Sequence, residues 1–403
     1  MSTSLLYHAF GIRGYHHVST RYEGGAVIFT VDQDPSKLAC PICGDHRVSP
    51  KGQVRRLFRA LPIGRKPVWI SLGIRRVYCL ACKVVRQVKI GFAEPRRMHT
   101  KSFERYALEL CRHMTILDVA QHLGVSWDVI KGIEKRYLEK RFSSPRLKHL
   151  RLIAIDEITI GKGHRYLTIV LDLETGAVVF VGDGKGADAL LPFWKRLKRS
   201  RAKIKAVAID MSPAYTAAVA EHLPRATVVY DHFHVIKLFN DKLSDLRRDL
   251  FRQAQSSDQA VLKGIRWLLL KNPENLRPDK GETERLRKAL EINQPLACAY
   301  YMKEDLRRLW HQPNKRAAES FLFDWVMRAW SSDIAMLYKF ADTLMAHRAG
   351  ILAYYDYPIS TGPLEGTNNK IKTMKRQAYG FRDLYFFKLK IMAAHETRSV
   401  LSG

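Results

Sequence analysis

The chain has 403 residues, enough for two to four domains, because a single hydrophobic core stops growing at roughly 250 to 300 residues. With 46% hydrophobic and 10% aromatic residues it can bury sizeable cores, which excludes a disordered basic tail as its main part. Lys and Arg number 68 against 39 Asp and Glu, a net charge of +29; that excess points to a polyanionic partner, nucleic acid before an acidic membrane surface.

No apolar run reaches the roughly 18 residues of a membrane helix, so no membrane is expected as a partner. Met1 to Phe10 has no charged segment followed by a long apolar one, which leads to the expectation of a cytoplasmic protein. Four of the six cysteines form two knuckles, Cys40-Pro-Ile-Cys43 and Cys79-Leu-Ala-Cys82. A two-residue gap turns both thiolates toward one point, and two such turns supply the four sulfur ligands of a structural Zn²⁺. Two unrelated reduced pairs, or a redox site, would carry the same spacing. The 35 residues between the knuckles are expected to form strands at Val54 to Ala60, Pro67 to Leu72 and Gly73 to Tyr78, making a zinc ribbon. Cys111 and Cys298 are expected to be buried small hydrophobes. From Lys51 to Thr100 there are thirteen Lys or Arg and one acid, Glu94, a phosphate-contacting composition.

Helical spacing follows. Thr115 to Lys131 carries an apolar face, Gly124 in a turn and Ser126 as the cap of a second helix running to about Lys140, a helix-turn-helix pattern. Its leading end would present Ser126, Trp127, Asp128 and Lys131 to a major groove. A plain three-helix packing unit fits the same pattern. Phe142 to His149, with Ser, Pro and basic residues, is expected to be a linker.

Beyond it the period changes to short apolar runs. Leu152 to Ile155 ends in Asp156-Glu157; Tyr166 to Leu171 and Ala177 to Val181 form a hairpin; Ala187 to Lys198 is an amphipathic helix. Ala206 to Ile209 ends in Asp210, with Ser212 and Pro213 opening a helix, and Ala226 to Tyr230 leads into Asp231-His-Phe-His234. An acid at the end of an apolar strand is costly unless it faces a cleft or a metal. Three in succession, on neighbouring strands of a mixed α/β sheet, suit the divalent ions of two-metal phosphoryl transfer; strand-terminating turn acids are the plain alternative. His234 also reads as a structural histidine at a strand end.

The final stretch is the most specific: Ser360-Thr-Gly-Pro363-Leu-Glu365-Gly-Thr-Asn368-Asn369-Lys370-Ile-Lys372-Thr-Met-Lys375-Arg376-Gln-Ala-Tyr379-Gly380-Phe-Arg382. With the Asp156, Asp210 and Asp231-to-His234 segments, it resembles the ISL-three-type family of prokaryotic insertion-sequence transposases over nearly the whole chain. The resemblance implies a multidomain α/β protein: an N-terminal zinc ribbon, a helix-turn-helix, and a ribonuclease H-like mixed-sheet catalytic domain interrupted by an all-helical insertion. The boundaries expected are 1–100, 101–149, 150–235, 236–355 for the insertion, and 356–403. It implies an Asp, Asp, Glu triad of Asp156, Asp210 and Glu365 holding two Mg²⁺ or Mn²⁺ ions, with Asp231 and His234 helping to arrange the scissile strand.

Pro363 can open a helix, so Glu365 would sit in its first turn, where the helix dipole favours the ionised form. Lys370, Lys372, Lys375 and Arg376 would hold phosphates, and Asn368 and Asn369 would position backbone or phosphate by hydrogen bonds. The implied partners are terminal inverted repeats and target DNA, bound by a homodimer or larger assembly near the nucleoid. Alternatives are a non-catalytic DNA-binding regulator on the same scaffold and a nuclease that cleaves without joining.

Overall fold

The computed structural model describes residues 4–161 and 163–395, which divide into two compact units, one up to residue 141 and one from residue 142. In the first, helix α1 (Leu5–Phe10) precedes strands β1 (Tyr15–Glu23) and β2 (Ala26–Gln33), then β3 (Val48–Ile63), β4 (Lys66–Cys79) and β5 (Val85–Gln87). Gly24 and Gly25, both at positive φ, make the two-residue turn between β1 and β2 that only glycine-like backbones adopt readily. The sheet runs β1-β2-β4-β3, with β5 on the far part of β4. Phe58, Ile70 and Leu72 are fully buried at its centre. Two strands expected at Pro67 to Leu72 and Gly73 to Tyr78 are one continuous β4. Gly73 does not end the strand because it is paired there with Arg55, and the Gln53 side chain lies where a Cβ would be. The β1–β2 hairpin was not expected, since the side chains of β1 face solvent and carry little apolar alternation.

Helices α2 (Lys101–Leu110), α3 (Ile116–Leu123) and α4 (Trp127–Phe142) complete this unit around Phe103, Val119 and Ile130. Thr115 and Asp118 form a reciprocal capping box, and Gly124 ends α3 in the left-handed conformation, so α4 can start at a sharp turn. Arg59 joins sheet to helices: its Nη2 donates to the Leu123 carbonyl at 2.8 Å. Cys111 is half-buried against the helical core, not fully buried as expected, because it lies in the turn that closes α2.

The second unit contains β6 (Leu152–Gly161), β7 (Arg165–Asp172), β8 (Val178–Asp183), α5 (Leu191–Ser200), β9 (Ala206–Ile209), α6 (Pro213–His222) and β10 (Thr227–Tyr230). Its sheet order is β10-β9-β6-β7-β8; β6 to β8 are an antiparallel meander, and β9 and β10 run parallel to β6. The first strand in the middle of a mixed sheet is the ribonuclease H-like arrangement. An all-helical stretch follows: α7 (His232–Gln253), α8 (Ser256–Gly264), α9 (Glu282–Ile292), α10 (Gln294–Arg307), α11 (Lys315–Trp330), α12 (Ala335–Ala346) and α13 (Arg348–Leu352). Then come α14 (Gly362–Gln377) and α15 (Leu384–Met392).

Strand alternation sorts the two faces. Ile153 and Ile155 join the large core that includes Phe193, Tyr215, Phe239 and Trp325, whereas Ala154 and Ile158 join Leu364 and Ile371 of α14 and Phe387 and Ile391 of α15. Asp156 therefore belongs to the α14 face and Glu157 to the opposite one. Cys298 of α10 is half-buried against the large core, again short of the full burial expected.

Candidate active site and metal centre

The four knuckle thiols converge. All four Sγ atoms lie within 4.8 Å of one another, with Cys43 to Cys79 at 3.6 Å and Cys40 to Cys82 at 4.0 Å. Four sulfurs about 2.3 Å from a tetrahedral Zn²⁺ stand about 3.8 Å apart, so the cluster fits that ion. Each knuckle closes the same way: the amides of Gly44 and Lys83, both at positive φ, donate to the carbonyls of Cys40 and Cys79. The thiols compete electrostatically without a cation: backbone amides of Cys43 and Ile42 draw Cys40 down to about 7, while its bond to Cys43 pushes Cys82 up to about 12.

In the second unit, backbone register aligns the acids. Ala154 pairs with Ala208, so two residues on, Asp156 of β6 stands beside Asp210, which follows β9; Tyr230 pairs with Ile209, which sets Asp231 beside Asp210. The strand expected to end at Asp156-Glu157 instead runs on to Gly161, because these residues continue the antiparallel pairing with Ile169 and Thr168 of β7. Burial pushes the Asp156 carboxyl up and the nearby Asp210 adds to this, against the pull of the Glu157 amide, His234 and Asn368. Asp210 Oδ1 accepts from the Ser212 amide at 3.0 Å. The Ser212 side chain makes no capping bond to α6, contrary to expectation; the Asp210 turn holds the residue through its backbone, and Pro213 opens the helix.

Asp231 is buried to 1% exposure. Its Oδ2 accepts from Thr361 Oγ1, the residue that caps α14, while Oδ1 has no hydrogen bond, His232 Nδ1 standing unaligned 3.4 Å away. His234, one turn into α7, places Nε2 4.0 Å from Asp231 Oδ2. On α14, Asn368 Nδ2 donates to Asp156 Oδ2 at 2.8 Å and is 7% exposed, while its Oδ1 is buried and unbonded. Glu365 is exposed in the first turn of α14, three residues before Asn368 and so on the same side.

The ligand atoms of Asp156, Asp210 and Glu365 are not gathered within 4.8 Å of one another; among the described residues only the cysteines are so close. The donor set is nonetheless oxygen-only and crowded with like charge, which suits hard divalent cations. Asn369, Lys370, Lys372 and Arg376 are exposed along α14, with Lys375 half-buried. At the head of α4, Ser126, Trp127 and Asp128 are exposed, and Lys131 Nζ lies 5.0 Å from the centre of the Trp127 ring.

Sequence reasoning did not find Tyr215 or Thr361. Tyr215 OH donates to Glu157 Oε1 at 2.6 Å and accepts from the Gly186 amide, bracing β6 beside Asp156 from the opposite face. Burial, and then the Glu157 carboxylate, push the Tyr215 phenol well above its usual range. The one available signal was Glu157 itself, a second acid whose side chain must point away from its neighbour.

Three family profiles match the chain. One described as "Transposase", of the ISL3 DDE type, covers residues 153–391. A second, "Helix-turn-helix domain of transposase family ISL3", covers 88–138, and a third, "zinc-finger of transposase IS204/IS1001/IS1096/IS1165", covers 37–82. The transposase for insertion sequence element IS1001 of Bordetella parapertussis is 34% identical over 89% of this chain and 88% of its own. That for IS1557 of Mycobacterium tuberculosis is 28% identical over 82% and 80%. The solved Drosophila P element transposase strand transfer complex aligns at a TM-score of 0.41 and 11% identity, covering 74% of this chain and 92% of that one.

Proposed function

Because the chain belongs to the ISL3 family of insertion-sequence transposases, we propose that it cuts DNA at the terminal inverted repeats of such an element and joins the released ends to target DNA. The observation that carries the catalytic part is the register placing Asp156 beside Asp210, with α14 and its Glu365 tied to Asp156 through Asn368. Asp156, Asp210 and Glu365 would hold two Mg²⁺ or Mn²⁺ ions, which supply activation of the attacking oxygen and neutralisation of the leaving one. Lys370, Lys372, Lys375 and Arg376 hold the DNA phosphates beside the acids, with Asn369 as a further hydrogen-bonding contact. His234, buttressed by Asp231, orients the scissile strand.

The helix-turn-helix reads the element's ends with the exposed head of α4, Ser126 and Trp127, and with Lys131. Zn²⁺ on Cys40, Cys43, Cys79 and Cys82 holds the basic ribbon in shape for backbone contacts. Two ends must meet in one assembly, which favours a homodimer or larger. No helix of the described residues is long and apolar enough to cross a membrane, and action on the nucleoid follows from the DNA substrate.

The test is cleavage of labelled DNA carrying the element's ends in Mg²⁺ or Mn²⁺. Asp210→Asn is expected to reduce nicking at least about a thousandfold while end binding stays unchanged, since it removes a ligand and not a DNA contact. Tight, specific end binding by wild type without any cleavage would instead establish a non-catalytic DNA-binding regulator.

A further inference from the structure

We infer that Asn368 is a positioning residue of the active site, whose side-chain amide orients Asp156 and sets α14 above it, and not one of the DNA contacts among which its motif places it. This rests on the catalytic reading above. A DNA contact must be reachable, and Asn368 is 7% exposed while the adjacent Asn369 and Lys370 are open to solvent. A carboxylate only accepts, so the 2.8 Å contact requires the amide nitrogen to face Asp156 Oδ2. The amide oxygen is thereby fixed on the other side, buried and without a bond.

The bond is one of two that fasten α14. Thr361, at its cap, donates to the buried Asp231 at the end of β10; Asn368 donates to Asp156 on β6. Thr361, Glu365 and Asn368 stand at helical positions i, i+4 and i+7, one face over two turns. Glu365 is therefore bracketed by two buried ties, one toward each side of Asp210. The ties join residues 130 and 212 apart in sequence, so they fasten α14 to the sheet that the helical insertion separates it from. Donor groups that hold a metal-ligating carboxylate in place set both ion affinity and rate.

The experiment uses the full chain and three readouts: Mn²⁺ binding to the protein alone, metal-free affinity for element-end DNA, and cleavage rate at saturating DNA. Asn368→Leu keeps the volume and removes the donor; it should lower Mn²⁺ affinity and kcat each by about tenfold or more, with end affinity unchanged. Asn368→Asp keeps the shape and puts a second carboxylate against Asp156; it should likewise lose kcat with end affinity intact. Loss of end affinity with unchanged kcat and Mn²⁺ binding in Asn368→Leu would make Asn368 a DNA contact. Full kcat in Asn368→Asp would overturn the inference even if the leucine variant failed to fold. If wild type cuts no DNA, the catalytic reading fails by itself, and the Mn²⁺ and end-binding titrations still decide the role of Asn368.

Discussion

Glu104, in the first turn of α2, is a half-buried acid whose charge is kept by its neighbours. Burial raises its pKa, but His99, with Nδ1 3.0 Å from Oε1, and Arg136, with Nη2 2.8 Å from the same oxygen, outweigh it and hold the carboxyl below its usual value. A folded-state pKa below the unfolded value of about 4.3 stabilises fully above that value and loses its contribution as pH falls through the lower folded one. Glu104→Gln is thus expected to cost roughly 1 to 3 kcal/mol at pH 7. In urea unfolding, the gap from wild type should narrow as pH falls below about 4. A gap independent of pH would assign the effect to packing. Such a group is visible in the sequence only as one of two acids in a helix; its two partners come from outside that helix.

Among elements, β8 and α14 show how close approach is written into small residues. At Gly182 in β8, an added Cβ would lie 2.4 Å from the Ala189 carbonyl oxygen, which belongs to backbone and cannot swing aside. Gly182→Ala should therefore destabilise the second unit by about 1 to 3 kcal/mol, read as a lower Tm with the first unit's zinc content unaffected. A Tm equal to wild type would mean that the turn before α5 shifts freely. The sequence marks this glycine only as a possible irregularity in a strand. The helix of Glu365 was legible from Pro363 and from the spacing after it, and it begins with that proline in its first turn. Which of its faces meets the sheet was not legible, because Asn368, Asn369 and Lys370 are alike in polarity.

At the scale of the whole molecule, the two units carry separate demands. The first carries a cluster of four thiols at the end of β4, and the second a core that continues from the sheet into the helical insertion. Cys43→Ser leaves three thiols around the cluster. It is expected to release the bound zinc and abolish specific end binding, while leaving the cooperative unfolding of the second unit in place. Metal analysis together with differential scanning calorimetry checks both halves; loss of both transitions would show that the units do not unfold separately.

The sequence by itself determined the local elements and the chemistry they carry: knuckle spacing, the helix-turn-helix, acids after the short strands β9 and β10, and the basic motif after Glu365. Each is a short-range pattern, set by backbone periodicity, thiol geometry or capping, and so is readable within a few residues. It did not determine that β2 inserts parallel beside β4, that Tyr215 braces Glu157, or that Asn368 turns inward to Asp156. Those choices belong to the tertiary structure, because they pair groups far apart in the chain. Among several polar side chains of equal propensity, burial admits only the one whose hydrogen-bonding partner is already fixed on the neighbouring element.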